Sequence, residues 1–424
     1  MKLFSDLSDL EGVEKAEDIL YMKILKKSTW IIDSWPKKPG ESKLYRYYAI
    51  ILQISSLIPG IIYLKNYTGK LSSFEMGHTY ITVFMNSISL TRALMIIGPK
   101  YNDLLNYFLD EMHLFNYRNK SKYAYQAHIL VHKISHFFTV YLLLMMVFGL
   151  ILFNVTPMYN CYSNGMYRDE ADRPPNATFD HAVFYELPFD YTTKVDGYMV
   201  VFIFNWYISV SCSTNFCVVD LTISLLVFHL WGHMRVLKQN LENMPKPAGY
   251  VSASNHYEDK RYTEEEAKEV HKQLTENIHY HSIIIDFQSR MSECFGEVLL
   301  VYFLFHQVSE CLLMLECSQM NRQSLLRYGP LTVVIFQQLI QLSIIFELLG
   351  SSNDKLIDAV YLVPWEHMDT KNKKLVLKML EQVQRSMNLK AMGMLTVGVQ
   401  TMITILKTSF SYFVMLQTVA EEDE

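Results

Sequence analysis

The sequence has little cysteine, six in 424 residues, and no excess of basic charge, with 38 Lys and Arg against 43 Asp and Glu. The scarcity of cysteine leaves one pair free to meet in an oxidising compartment, Cys161 and Cys317; the other four read as small apolar filler in helices. The absence of a basic patch excludes nucleic acid as a partner. No stretch alternates polar and apolar residues as a barrel strand would. The first 46 residues are charged and hold no apolar signal-peptide core, so the first membrane span is expected to act as its own targeting signal.

What is present is apolar length. Seven stretches, Tyr47–Leu64, Gly77–Ile97, Ile134–Phe153, Gly197–Leu230, Ile283–Leu315, Pro330–Leu349 and Met392–Leu416, each match the roughly 18 residues that mark a membrane-spanning helix. Polar residues interrupt the fifth and seventh. A span in lipid must satisfy its own backbone amides, so these are helices, and the fold class is all-α with seven transmembrane helices. Lys and Arg number 28 in the N-terminal segment and the alternate connections on its side, against 7 on the other. That asymmetry puts the N-terminus in the cytoplasm and, with an odd number of spans, the C-terminus outside. The sequons at Asn66, Asn154 and Asn176 then fall outside as glycosylation candidates. This orientation is the reverse of a G-protein-coupled receptor. That family's Asp/Glu-Arg-Tyr and Asn-Pro-x-x-Tyr landmarks are missing as well.

Helices extend beyond the bilayer on the cytoplasmic side. The fourth span continues through "WGHMRVLKQNLENM" until Pro245 and Pro247 stop it. Thr263 and Glu266 form a capping box that opens a helix running into the fifth span. In "KKLVLKMLEQVQRSM", Val376, Leu380, Val383 and Met387 form one apolar stripe at coiled-coil-like spacing. Two arrangements fit such a stripe: an intracellular packing domain that joins subunits, or a lone helix lying on the bilayer surface.

"LLVFHLWGHMRVLKQNL" after Asp220, "SSNDKLIDAVYLVPWEHM" and the ending "LKTSFSYFVML" resemble the insect odorant receptors, in order and spacing, over nearly the whole chain. "AEDILYMKILKKSTWIIDSWP" and "ELPFDYTTKVDGYMV" are similar to the moth sex-pheromone receptor lineage within that family. The resemblance implies a subunit of a ligand-gated, non-selective cation channel, a heterotetramer formed with a shared co-receptor in the plasma membrane of olfactory sensory neurons. It implies no cofactor and no enzymatic activity. The implied division is a cytoplasmic segment at 1–46, helices 1 to 6 with a ligand pocket in their outer half at 47–349, and a cytoplasmic anchor segment at 350–390. A pore-lining helix at 391–419 and an extracellular acidic tail at 420–424 complete it.

A last helix that lines water can keep Gln400, Lys407 and Ser411. The family's gate falls on Met415, with Val419 one turn further on the same face. Lys407 fits a cation pathway less well, and a partner at a subunit boundary is the other reading. By helical spacing, the candidate ligand residues are Tyr80 and Phe84; Met145, Phe148 and Leu152; Phe204, Tyr207, Ile208 and Ser211; and Phe336. Such a set suits a volatile with a long hydrocarbon chain and one polar end. Each of them taken singly also fits core packing.

Two rival readings were weighed. His229 and His233 stand at the i, i+4 spacing of metal ligands, with His271, His279 and His281 nearby, as an integral-membrane lipid-modifying enzyme would need. The paired-histidine boxes of such enzymes are missing, which favours exposed helical histidines and no metal. A membrane transporter would show internal repeats and broken spans, and the hydropathy shows neither.

Overall fold

The computed structural model describes residues 7–422 except 39, 72, 170–171, 175–176, 249–260, 319–321, 386–388 and 392–394. Within them the chain is a bundle of long helices: α2 (Leu44–Tyr67), α3 (Ser73–Ile97), α6 (Lys122–Ser163), α7 (Val195–Glu242), α8 (Glu264–Ser318), α9 (Arg322–Tyr361) and α11 (Val399–Glu422). Shorter helices α1 (Leu20–Ser28), α4 (Pro99–Tyr107), α5 (Leu114–Tyr117) and α10 (Thr370–Val383) gather at one end. The only sheet among the described residues is a two-residue antiparallel pair, Lys390–Ala391 with Leu395–Thr396.

Among the described residues, six helices are long and apolar enough to cross a membrane: α2, α3, α6, α7, α8 and α9. The seventh expected span forms as α11, 24 residues or about 36 Å at 1.5 Å per residue. Gln400, Lys407 and Ser411 interrupt its apolar run. The 48 residues of α7 reach about 72 Å, well beyond a hydrocarbon core of about 30 Å. Its extension therefore projects at one end of the bundle, as do those of α8 and α9. The capping box at the start of α8 closes as expected: Thr263 N–H donates to Glu266 at 2.8 Å, and Glu266 N–H donates to Thr263 Oγ1 at 3.3 Å.

α7 is the axis. Of its most apolar window 89% is buried, against 22% for α6 and 28% for α2, so α6 and α2 carry the lipid-facing surface. The α7 core is continuous with Tyr302, Phe295 and Phe287 of α8 and Phe346 and Leu349 of α9. One close approach needs glycine. A Cβ on Gly232 would sit 2.3 Å from Leu114 Cδ1 and 2.9 Å from Val131 Cγ2, so α5 and α6 approach α7 there more closely than a side chain would allow. The stripe on α10 is buried within this same chain through Val376, Met379 and Val383, with Leu380 half-buried. Met387 lies outside the described residues.

His229 and His233 are fully buried rather than exposed, because α7 is enclosed at this level by α5, α6 and α8. Their nitrogens are all taken. His229 Nδ1 accepts from Leu114 N–H at 3.1 Å, and His113 Nδ1 from Phe115 N–H at 3.2 Å. A neutral ring that accepts at Nδ1 carries its proton on Nε2, so both rings donate to the Tyr21 hydroxyl, at 3.0 and 2.7 Å. His233 donates to the Met112 carbonyl at 2.8 Å and accepts from Tyr280 at 2.6 Å. Burial, with other histidines around it, holds His113 well below the usual imidazole pKa. Among the described residues no group of three or more ligands is placed to hold a metal ion.

Candidate ligand cavity and pore face

At the other end of the bundle, between α3, α6, α7 and α9, lies a largely apolar cavity of about 140 Å³. α3 contributes His78, Thr82, Met85 and Asn86; α6 runs from Leu142 to Pro157; α7 offers Ile208, Ser209, Cys212, Ser213, Phe216 and Cys217. α9 supplies Leu331, Val334, Ile335, Gln337 and Gln338, and α8 closes the base with Phe305. Pro157 has no N–H to offer the Phe153 carbonyl one turn back, which loosens α6 where both residues face the space. At Gly149 a Cβ would meet nothing within 4 Å, which leaves room beside the wall.

The connection between α6 and α7 roofs the cavity with Ala182 and Val183. Asp190 accepts from the backbone N–H groups of Thr192 and Thr193 at 2.9 and 3.1 Å, and from the Thr193 hydroxyl. The Thr193 bonds hold its carboxyl down at about 2. His181 is buried with its Nε2 donating to the Tyr191 carbonyl at 3.1 Å, and burial lowers its pKa to about 4. Gly197 lies beneath this roof, where a Cβ would meet the Asp190 carbonyl oxygen at 2.1 Å. His78 of α3 donates to the Ala182 carbonyl at 2.9 Å, and Glu186 N–H to that of Pro59 at 3.1 Å, so the roof is tied to α3 and α2.

The hydroxyl protons around the cavity are spent inside the protein. Thr82 donates to the Thr79 carbonyl at 3.0 Å, Thr156 to that of Leu152 at 2.7 Å, Ser209 to Asn154 Oδ1 at 3.3 Å, and Ser213 to the Ser209 carbonyl. These hydroxyls turn lone pairs to the cavity. Spare donors are the side-chain amides, Asn86 with one N–H used on Ser56, Gln337 with one used on Gln341, and Gln338.

Of the residues expected at the ligand site, Met145, Leu152 and Ile208 line this cavity. Tyr80, Phe84, Phe148 and Tyr207 are 37% to 53% exposed and point out of the bundle, Tyr207 bonded to the Tyr48 hydroxyl at 2.9 Å. Phe204 packs with Tyr185 under the roof. Ser211 accepts from Gln53 Nε2 at 2.9 Å, and Phe336 lines a separate groove between α6 and α9. Residues grouped by helical spacing part company here, Met145 and Leu152 turning to the cavity and Phe148 outward, Ile208 inward and Tyr207 outward, because spacing leaves open which arc of an apolar helix meets protein and which meets lipid. His78, Asn86, Ser209 and Cys212 were missed. Their signal was present: polar or thiol side chains inside apolar spans, about two turns apart on α3 and one turn apart on α7.

Behind the cavity wall Arg92 is fully buried. It donates to Asp220 Oδ1 at 2.7 Å and to the Asn215 and Phe216 carbonyls at 3.0 and 2.8 Å, and lies 4.7 Å over the Phe216 ring. Two opposite charges in separate spans, Arg92 and Asp220, were the sequence's hint of this clamp. On the far side of α8, the hydroxyl of Ser409 on α11 donates to the Gln307 carbonyl at 3.1 Å and accepts from Gln307 Nε2 at 3.1 Å. With Ile405 this fixes one face of α11, and the opposite face, with Lys407, Ser411 and Met415, is exposed on the single chain. The side chains of Val419 and of Glu421 to Glu424 lie outside the described residues.

Asn154 is no glycosylation site: it is buried in α6, donating to the Leu150 carbonyl at 3.0 Å and accepting from Ser209. Asn66 is exposed at the end of α2, and Asn176 lies outside the described residues. Cys161 and Cys317 are not bridged to each other. The Cys161 sulfur accepts from Asp180 N–H at 3.1 Å, and Cys317 meets Thr332 Oγ1 at 3.5 Å.

The family model described as 7tm Odorant receptor matches residues 69–410. The chain belongs to the 7tm odorant receptor family. It is thus a multi-pass membrane protein of a receptor family rather than an enzyme. Odorant receptor 22c of Drosophila melanogaster is 27% identical over 159 residues, covering 37% of this chain and 39% of that receptor. Odorant receptor 13a of the same fly is 23% identical over 257 residues, 56% of this chain and 57% of that one. The matched part of this odorant receptor thus spans between about two fifths and three fifths of those relatives. The fold is shared with the insect olfactory receptor OR5 of Machilis hrabei at a TM-score of 0.74, covering 94% of this chain and 98% of that one at 14% identity. OR5 has also been solved in complex with eugenol, with the same TM-score to this receptor and 95% of its chain covered.

Proposed function

We propose that this odorant receptor is the ligand-recognising subunit of a cation channel opened by a hydrophobic volatile, assembled with a shared co-receptor in the plasma membrane of olfactory sensory neurons. The cavity carries the reading. It is a mostly apolar space walled by helices, with a few polar groups on four of them, which is the make-up of a site for a small hydrophobic molecule. The OR5 complex with eugenol supports it from a receptor of the same fold. In this reading the roof lies outside the cell and the projecting ends of α7, α8 and α9 lie in the cytoplasm, as the 28-to-7 charge asymmetry requires. The exposed face of α11, with Ser411, Met415 and Lys407, turns to a central pore shared among four subunits. Met415, with Val419 above it, closes that pore by dewetting. The motifs near the start and before α7, similar to the moth sex-pheromone receptor lineage, favour a long-chain pheromone as that volatile.

The test is current in cells expressing the chain with and without an odorant-receptor co-receptor, across a panel of hydrophobic volatiles. Ligand-dependent, cation-carried current that needs the co-receptor is expected. Surface-expressed receptor that stays silent with every co-receptor and volatile overturns the reading.

A further inference from the structure

The cavity is small for the ligand that the sequence implies. A dry apolar cavity of about 150 Å³ admits a molecule of benzene's size, and this one holds about 140 Å³. A chain of a dozen or more carbons does not fit inside it. Next to it, between α6 and α9, runs an open groove of about 710 Å³, roughly five times as large, lined by Phe137, Phe138, Tyr141, Val333, Phe336 and Ile340. The two spaces share Gln337, and Tyr141 of the groove is followed by Leu142 of the cavity.

We propose that the groove is the tail subsite of the receptor: a long-chain ligand keeps its polar end in the cavity, and its hydrocarbon tail passes beside Gln337 to lie between α6 and α9. The proposal rests on the reading of the cavity as the ligand site. Three observations carry it. The groove lies on helices that qualify as membrane spans, so its mouth opens on hydrocarbon, where an unbranched chain meets no water. The wall between these helices is mostly aliphatic and aromatic, with Phe137, Phe138, Val333, Phe336 and Ile340, while Gln337 bonds to Gln341 and Thr332 to Cys317, so little of it calls for a polar guest. The amide donor Gln337 stands where cavity and groove meet, with Gln338 beside it on the cavity wall, which orients an amphipathic ligand with its polar end inward of the passage.

The tail therefore replaces a lipid acyl chain rather than water. The benefit comes from packing against Phe336 and Tyr141, not from hydrophobic burial. Selectivity for chain length resides in the groove, and selectivity for the polar end in the cavity.

The probe is a homologous series of straight-chain alcohols and their acetates, from about six to sixteen carbons. It is applied to the full receptor with co-receptor, with surface level measured beside each response. Val333 is 65% exposed on the groove wall and touches no core. Val333→Trp should lower sensitivity to the fourteen- and sixteen-carbon members about ten-fold or more and leave the six- and eight-carbon members within about two-fold. Val333→Ala should do the reverse for the longest members. Equal loss at every chain length, or no change at any, overturns the subsite. So does a phospholipid that stays bound to the purified receptor and is displaced by Val333→Trp while the chain-length profile holds. Silence of the unmodified receptor to the whole series, with no thermal shift of the purified protein by any member, refutes the ligand reading itself. A response confined to short members refutes only the tail subsite.

Discussion

Around the cavity, Thr82, Thr156, Ser209 and Ser213 keep a lone pair toward open space, whereas around Tyr21 every ring nitrogen of His113, His229 and His233 is bound. Both regions are walled by α6 and α7, and both place polar side chains in an apolar setting. The difference is geometric. Near Tyr21, Gly232 lets α5 and α6 close on α7, and Tyr21, His113 and His229 are pressed into contact with one another. Near the cavity, α6 stands off its neighbours around Gly149 and Pro157, and the same kind of groups are left with capacity for a guest. A buried polar group reads as a strut or as a binding group only once its remaining hydrogen-bonding capacity is counted.

The largest effect should come from the clamp behind the cavity. Arg92→Met strands Asp220 as a buried, unpaired charge, a change that costs about 3–5 kcal/mol. We expect the purified variant to lose its thermal transition and cells to lose surface receptor. Arg92→Met with Asp220→Leu should restore part of both. If the single variant is as stable as the parent, the pair is not holding the wall.

Gly232→Ala comes next. It drives a methyl into Leu114 and Val131, and overpacking of this kind costs about 1–3 kcal/mol. Gly149→Ala meets open space and should leave the melting temperature nearly unchanged. A reversed ranking would break the contrast between the closed and the open end.

The roof supplies a pH test. His181 has its folded pKa lowered to about 4 from 6.5, so the unfolded segment binds a proton that the folded one does not as pH falls from 6.5 toward 4. Stability is full above about 6.5 and is lost on acidification, by about 2 kcal/mol at pH 5. Hydrogen exchange across residues 177–193 should quicken between pH 7 and 5 in the parent and much less in His181→Gln. Asp190, held at about 2, stays ionised through this range and contributes no change.

The smallest effect concerns the polar end of the ligand. Ser213 spends its proton on the Ser209 carbonyl and offers a lone pair, so it suits a hydroxyl and not an acetate. Ser213→Ala should reduce sensitivity to an alcohol about five-fold, the worth of about 1 kcal/mol for one neutral hydrogen bond. The matching acetate should be unaffected. Equal shifts for both would show that the alcohol is not bound there.

How much of this was legible before the fold is plain from particular residues. The long helices, the α8 capping box and the stop at Pro245 follow from local chemistry: apolar length, a Thr-x-x-Glu pair and a missing N–H are properties of neighbours in the chain. The stripe of α10 was legible as well, though not that its cover comes from this same chain. The cavity was not legible. Tyr80 and Met85 look alike along α3, yet one is exposed and the other faces the cavity, because α3 is apolar all round and periodicity has no contrast to read. Asn154 shows the same limit: a sequon is three residues, and burial is decided by α7 lying against it.

By itself, then, the sequence determined the number and length of the helices, the charge asymmetry across them and the membership of a family, since each is a sum over local residues. Only the tertiary structure decided which faces meet lipid, protein or open space. Those depend on how closely helices approach, tight here at Gly232 at one end of α7 and wider around Pro157 on α6 at the other, and on contacts between residues far apart in the chain, such as Arg92 with Asp220 and Gln307 with Ser409.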